Sequence, residues 1–353
     1  MIRKLTVLFC LMLAVTAWGF AAEPAPVTIM TQNMDAGTDL TFAVGELLGR
    51  LPPGVGVELT FEEILASDIP QRAALLAARV ADKKPDLLAL QEVTLWRTGA
   101  SVDTATTVLF DQLQLLLSSL AADGVPYDIV AVNSLDDFAF PKASGGVLRV
   151  TDRNALLVRS DLRPPAFHLS DVHANTFDAE YSLLGLHVLS GWISAIVHTG
   201  DRHFRVASTH LQSAVPGDPT SIAVQTAQAN QLIQELRNST VPVVIAGDFN
   251  SDAIPGAKGP DSTPSAALIQ AAGYMDTWTV AGSGPGPTWP LYLEDQFPPP
   301  FVVHSFPFER IDLIFSQGLN VIGVEHVLAP GPAANQLSYF ASDHAGVLAV
   351  LGF

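Results

Sequence analysis

The tetrapeptide Gly247-Asp248-Phe249-Asn250 closes a run of aliphatic residues, Val241-Pro-Val-Val-Ile-Ala246. In extended backbone Asp248 and Asn250 point the same way and Phe249 points opposite, into a core. A carboxylate and a carboxamide are thereby delivered to one place. Alone the signal is weak, because Asp and Asn are ordinary turn formers. Five other polar signals are individually just as bland. Ser342-Asp343-His344 precedes the last apolar run and reads by itself as a cap. Arg310-Ile311-Asp312 opens a strand, where charge usually marks an exposed end. Gln91-Glu92 closes the buried run from Asp86, Thr209-His210 ends another strand, and Asn33 ends the first.

Taken as a set they say more. Six polar signals stand at strand termini, each beside an apolar run, and they comprise carboxylates, carboxamides and two histidines. Oxygen donors of this kind suit a hard divalent cation, Mg²⁺ first, with Mn²⁺ or Ca²⁺ as alternatives. The only cysteine is Cys10, and no His-x-x-x-His helical spacing occurs, which disfavours a zinc centre. A hard cation can hold a phosphoryl oxygen and stabilise the charge that develops at phosphorus. A carboxylate beside an Asn can orient and deprotonate water, while a His or the metal protects the leaving oxygen.

The elements that must position these groups read as one domain of alternating short strands and helices. Strands are expected at 27–33, 86–92, 154–159, 191–198, 203–210, 241–246, 311–315 and 347–351, with 191–210 a hairpin around Thr199-Gly200-Asp201. Helical apolar spacing runs over 61–83 and 108–120, and 221–237 is a Gln- and Ala-rich helix. Residues 281–308 hold seven prolines with Trp289, Tyr292 and Phe301, which predicts a long ordered surface loop whose aromatics pack down.

Composition limits the partners. The 353 residues carry a formal net charge of −17, 15% charged and 48% hydrophobic side chains. That excludes global disorder, and it argues against a non-specific binder of the phosphate backbone, which needs clustered Lys and Arg. Met1-Ile-Arg-Lys4 followed by the apolar stretch Leu5–Ala22 reads as a secretory signal peptide cleaved after Ala21 or Ala22, so the chain is expected to be exported, to the periplasm or the medium. Without residues 1–22, 16 basic residues face 35 acidic ones, a net of −19. The expected organisation is 1–22 signal peptide and 23–353 folded domain.

The ordered series Asn33, Gln91-Glu92, Thr209-His210-Leu211, Gly247-Asp248-Phe249-Asn250, Arg310-Ile311-Asp312 and Ser342-Asp343-His344 resembles the endonuclease/exonuclease/phosphatase superfamily over roughly residues 27–353. The resemblance implies an α/β (α+β) four-layer sandwich: two central β-sheets packed face to face, helices outside, and the site at one edge. It implies Glu92 as principal metal ligand, with Asn33 and Asp343 near the metal or phosphate. Asp248 would position or deprotonate the attacking water, and Asn250 would hold the phosphate. His344, oriented by Asp312, would contact the phosphoryl oxygen, and His210 would be a general acid or phosphate ligand. Arg153, in Asp152-Arg-Asn-Ala, is a candidate substrate contact whose alternative reading is an ion pair before a strand.

Within the superfamily, His210 resembles deoxyribonuclease-, sphingomyelinase- and inositol-phosphatase-like members. Abasic-site endonucleases lack that histidine and tend to carry an aromatic where this chain has Glu309, so repair of abasic sites is disfavoured. Residues 36–70 look like an insertion. The expected activity is that of a secreted metal-dependent phosphodiesterase, an endonuclease first. A sphingomyelinase-like or inositol-phosphatase-like hydrolase and a non-catalytic cation-dependent binding module are the alternatives. The substrate is a phosphoester, in nucleic acid or in a lipid or small molecule, and the chain is read as a monomer without an obligate protein partner.

Overall fold

The central strands dictate the architecture, because they are apolar on both faces and each face must be covered. A computed structural model describes residues 25–296, 301–304, 306–329 and 340–353; the expected signal peptide, 1–22, lies outside them. Eight strands form one sheet in the order Asn320–Val327, Gly346–Gly352, Val27–Asn33, Leu87–Gln91, Val147–Arg159, Leu95–Gly99, Thr107–Asp111, with Tyr127–Pro141 also paired to Val147–Arg159. Six form the second, in the order Met275–Asp276, Asp312–Gln317, Val243–Asp248, Arg202–His210, Gly191–Thr199, Phe167–Thr176.

The sheets face each other across one apolar layer. Val27, Ile29, Leu87, Ala89 and Leu156 of the first meet Ile193, Val206, Val244, Ala246 and Ile314 of the second, all buried. The opposite faces take helices. Leu76 and Val80 of helix Ile69–Lys83, and Leu113 and Leu116 of helix Gln112–Ala122, cover Met30, Leu88 and Leu348. Leu232 of helix Pro219–Leu236 and Ile269 of helix Ser265–Ala271 cover Ile245, Phe249 and Phe315. Helix, sheet, sheet, helix is the four-layer sandwich expected. Phe249 meets Phe315 edge to face at 88° with ring centroids 5.1 Å apart, a favoured geometry for an aromatic pair.

Several expected elements differ. The helix over 61–83 is two helices, Val55–Ala66 and Ile69–Lys83. Asp68 breaks it with φ 49° and accepts the Gln71 N–H at 3.4 Å, and Pro70 has no N–H with which to continue the earlier ladder. The helix over 108–120 begins at Gln112, because Thr107–Asp111 pairs as a strand with Leu95–Gly99. Loop 281–308 contains a hairpin of Tyr292–Gln296 with Phe301–His304; the Phe301 side chain lies outside the described residues. Residues 36–70, expected to be an insertion, fold as helices Thr41–Leu47 and Val55–Ala66, and Val57 and Ile64 of the latter pack with Ile69, Trp96 and Leu148.

The first sheet has one irregularity with consequences for the site. Leu87–Gln91 and Leu95–Gly99 both pair antiparallel with the single long strand Val147–Arg159, one after the other. Between them Glu92 adopts φ 53°, so its side chain stands at a break in an otherwise continuous edge. In the second sheet the strands close up tightly at Gly247, where an added Cβ would lie 2.1 Å from the Thr209 carbonyl oxygen. Gly247→Ala is therefore expected to destabilise the protein by about 1–3 kcal/mol, read as a lower urea midpoint with unchanged m-value. An unchanged midpoint would show that the strands separate freely there.

Candidate active site

At one end of the sandwich the inward rows change from apolar to polar. Asn33 continues the row of Val27 and Ile29, Gln91 that of Leu87 and Ala89, and Asp152 that of Leu156 and Asn154. From the second sheet, Asp248 follows Val244 and Ala246, Asp312 precedes Ile314, and His210 follows Val206 and Ser208. Register then sets these last three side by side, His210 opposite Asp248 and Asp248 opposite Asp312. His210 and Asp248 line a cavity of about 620 Å³ with Glu92, Asn250, Asp343 and His344, and Asp312 lies buried behind His344.

The cluster is held by hydrogen bonds that join its like charges. The Asn33 amide donates to Glu92 Oε1 at 2.8 Å and to Asp248 Oδ2 at 3.0 Å, while its own oxygen accepts the Asp35 N–H at 2.8 Å. The other Glu92 oxygen accepts the Ala36 N–H at 2.9 Å. Asp248 Oδ1 accepts the Asn250 N–H at 2.9 Å, and Asn250, at φ 45°, leaves the strand there. The Asn250 amide donates to the Leu211 carbonyl at 2.9 Å and lies 3.1 Å from His210 Nε2. His210 Nε2 is 3.6 Å from Asp248 Oδ2.

His344 Nδ1 lies 2.8 Å from Asp312 Oδ2 and 3.8 Å from Asp248 Oδ2, and its Nε2 faces Asp343 Oδ1 at 3.8 Å. Burial alone would push the imidazole down, but Asp312, Asp343 and Asp248 outweigh it and hold its pKa well above the ordinary value. The Ser342 hydroxyl accepts the His344 N–H and donates to the Asn33 carbonyl, tying this loop to the first strand.

Donor atoms of Glu92, His210 and Asp248 lie within 4.8 Å of one another, as do those of Asp248, Asp312 and His344. Asn33 serves as the bridge between Glu92 and Asp248 beside that donor set. One oxygen of Asp343 is engaged by the Trp289 indole N–H at 2.9 Å. Arg153 departs from the expected substrate contact. It donates to the Val93 carbonyl at 2.7 Å, to that of Thr94 at 3.3 Å and to Asp111 at 2.6 Å. Those carbonyls belong to the chain break after Glu92, so Arg153 positions Glu92 from behind. Arg310 is likewise structural: buried, it pairs with Asp276 at 2.6 Å.

Five acidic residues of the cavity wall went unread in the sequence: Asp35, Asp39, Asp136, Asp152 and Asp261. Burial pushes Asp136 up to about 7 and Asp261 up to about 8, with Glu309 and Asp248 adding to the latter. Asp152 is also raised by burial, with Glu92 adding and His210 opposing. Asp152 was findable, two residues before Asn154 and four before Leu156 on one strand; the others lie on segments without periodicity. The proline-rich loop contributes Trp289, and Tyr292, whose hydroxyl donates to Asp35.

The Endonuclease/Exonuclease/phosphatase family matches residues 64–344. No curated protein sequence matches the chain. Among solved structures, an endonuclease/exonuclease/phosphatase from Beutenbergia cavernae DSM 12333 is 22% identical, with 93% of this chain and 72% of that one covered and a TM-score of 0.58. The mannosyl-6-phosphatase of Bacteroides thetaiotaomicron VPI-5482 is 16% identical over 93% and 100%, TM-score 0.56. D. rerio TDP2 complexed with single strand DNA product is 15% identical over 93% and 99%, TM-score 0.55. At these identities the likeness is one of fold.

Two outcomes follow from the electrostatics. Asp312→Asn removes a carboxylate that raises His344, so the imidazole should titrate at lower pH in NMR spectra of the EDTA-treated protein; an unmoved titration would show that Asp312 does not govern it. Asp261 behaves as an acid whose folded pKa is raised. Its burial penalty is absent below about pH 4, grows as the pH rises and is complete above about 8. Asp261→Asn should flatten the fall in stability across that window in urea titrations, and a parallel fall in both proteins would refute the assignment.

Proposed function

The chain belongs to the endonuclease/exonuclease/phosphatase family, and from that premise we propose that it is a divalent-metal-dependent phosphoester hydrolase that uses activated water. The observation that carries this reading is the convergence of Glu92, His210, Asp248, Asp312 and His344 at one end of the sheet sandwich. The donor set fits a hard divalent cation: two carboxylates come together with one imidazole, and Asn33 already holds the carboxylates side by side. Glu92 would hold the ion, with Asn33 and Asp343 near it and Asp248 beside it to receive the water's proton. When bound, such an ion neutralises charge on a phosphoryl oxygen and acidifies water.

The remaining chemistry belongs to the chain. Asp248 accepts a proton from the attacking water and orients it, with His210 and Asn250 beside it. Asn250 presents its carboxamide to the phosphate. Asp312 accepts from Nδ1 of His344, and Asp312, Asp343 and Asp248 together hold the pKa of the ring above its ordinary value, which favours donation from Nε2 to the phosphoryl oxygen as charge builds there. Asp312 does for His344 what an orienting carboxylate does generally, fixing tautomer and ring plane. His210, half-buried at the cavity mouth, is placed to protonate the leaving oxygen.

For the substrate, the cavity wall favours a compact phosphoester. Eight carboxyl groups line it and no Lys or Arg does so among the described residues, whereas a polynucleotide track needs cationic side chains. A nuclease acting on nucleic acid is the second reading, supported by the sequence resemblance to deoxyribonuclease-like members. The basic start and apolar run of residues 1–22 support export.

The test is hydrolysis by the chain from Glu23 of supercoiled plasmid, sphingomyelin, inositol phosphates and sugar phosphates, in Mg²⁺ with and without EDTA. Activity on one class should vanish with EDTA and fall by about 10²–10⁴-fold in Asp248→Ala. Turnover that survives either treatment overturns the mechanism. Silence on every substrate would favour a cation-dependent binding module.

A further inference from the structure

The outer face of the second sheet carries a constellation that the hydrolytic site does not use. His168, His198 and His203 sit on three adjacent strands, and the pairing register puts His198 opposite both of the others. Their sequence neighbours Phe167, Val197 and Phe204 fill the inter-sheet core, so strand alternation turns all three imidazoles outward together. The rings of His168 and His198 stack with centroids 4.3 Å apart, and His203 lies 5.8 Å from His198. His168 and His203 are exposed and His198 is half-buried.

We propose that this row is a surface binding site for a borderline divalent transition metal of the Cu²⁺, Ni²⁺ or Zn²⁺ class. Imidazole suits those ions, while the oxygen-rich hydrolytic centre suits hard ones. Two sites on one chain therefore select different metals. Among the described residues none of the three histidines pairs with a carboxylate. Charged groups beside the row are committed to each other: Asp171 holds Arg205 at 2.6 Å and His173 at 2.8 Å, and Asp201 lies 3.9 Å from Arg202. His198 lies 2.8 Å from the Ser170 hydroxyl. Burial first, then the proximity of His168 and His203, lowers the pKa of His198, which keeps the central ring in the neutral form a metal requires.

The outer two histidines are separated by two strand spacings, roughly 9.6 Å, so the proposed ion takes His198 with its neighbours after the side chains rotate out of the stacked arrangement. The site is remote from hydrolysis, since seven residues of one strand, about 23 Å, separate His203 from His210. A bound ion would staple the edge strand Phe167–Thr176 to the hairpin beside it.

Cu²⁺ titration of the full chain, followed by electron paramagnetic resonance, tests this. Glu92→Gln serves as the background so that the hydrolytic centre competes less. One equivalent should bind with nitrogen superhyperfine structure. Adding His198→Ala should weaken it by about tenfold or more, since losing even an outer-shell partner of a metal ligand costs that much. His168→Ala should weaken it too, while His187→Ala, on another hairpin, should not. His198→Ala alone should leave hydrolysis and the far-ultraviolet circular dichroism unchanged, which excludes misfolding. Equal Cu²⁺ affinity in His198→Ala and its parent, or an equal loss in His187→Ala, overturns the proposal. Neither result bears on the hydrolase reading, because the readout is binding on an inactivated background.

Discussion

Glu92, Asp248 and Asp312 bring like charge into a space largely closed to water, and their mutual repulsion is the constraint the rest of the site answers. Burying carboxylates is costly unless each is hydrogen-bonded or faced by positive charge. The fold supplies both. One amide, that of Asn33, bridges Glu92 and Asp248, and one imidazole, that of His344, stands between Asp312, Asp248 and Asp343. Asp136, Asp152, Asp261 and Asp343 answer the same pressure differently: burial raises the pKa of each and weakens it as an acid.

This accounts for the supporting groups behind the wall. Glu92 needs a backbone that leaves the strand over residues 92–94, and the Val93 and Thr94 carbonyls freed there need donors; Arg153 provides them. Asp35 faces the cavity next to Glu92 and is held by Arg72 at 2.9 Å and by Tyr292. Trp289 reaches Asp343. The proline-rich loop and the segment after the first strand thereby act as braces for acidic residues.

Much of this was legible in the sequence where burial is complete. Strands such as Leu87–Gln91 and Val243–Asp248 are apolar on both faces, and the polar residues at their tips were visible as exceptions to that pattern. Exposed edge strands and short half-buried ones were not legible. Phe167–Thr176 is mostly exposed, so its side chains obey no burial rule, and Leu95–Gly99 is short and half-buried. The break at Asp68 was hidden by apolar spacing that continues across it. Arg153 carried the right chemistry for a phosphate contact, but its direction depends on Val93 and Thr94, whose free carbonyls exist only because of the break at Glu92. The row of histidines was invisible for a related reason: its spacing runs across strands, and only register aligns it.

The shared partner strand has a further meaning for how such a chain can change length. Leu87–Gln91 and Leu95–Gly99 are both measured against Val147–Arg159, which works as a ruler. One residue gained or lost between them would slip the second segment by one position and exchange its faces, bringing Arg97 inward where Trp96 is now buried. Glu92 would lose its place in the same event. Residues 36–70 and 281–308 are under no such gauge, since each folds on itself before returning. Lineages carrying this architecture should accumulate insertions in those two segments and keep the short interval after Glu92 at constant length.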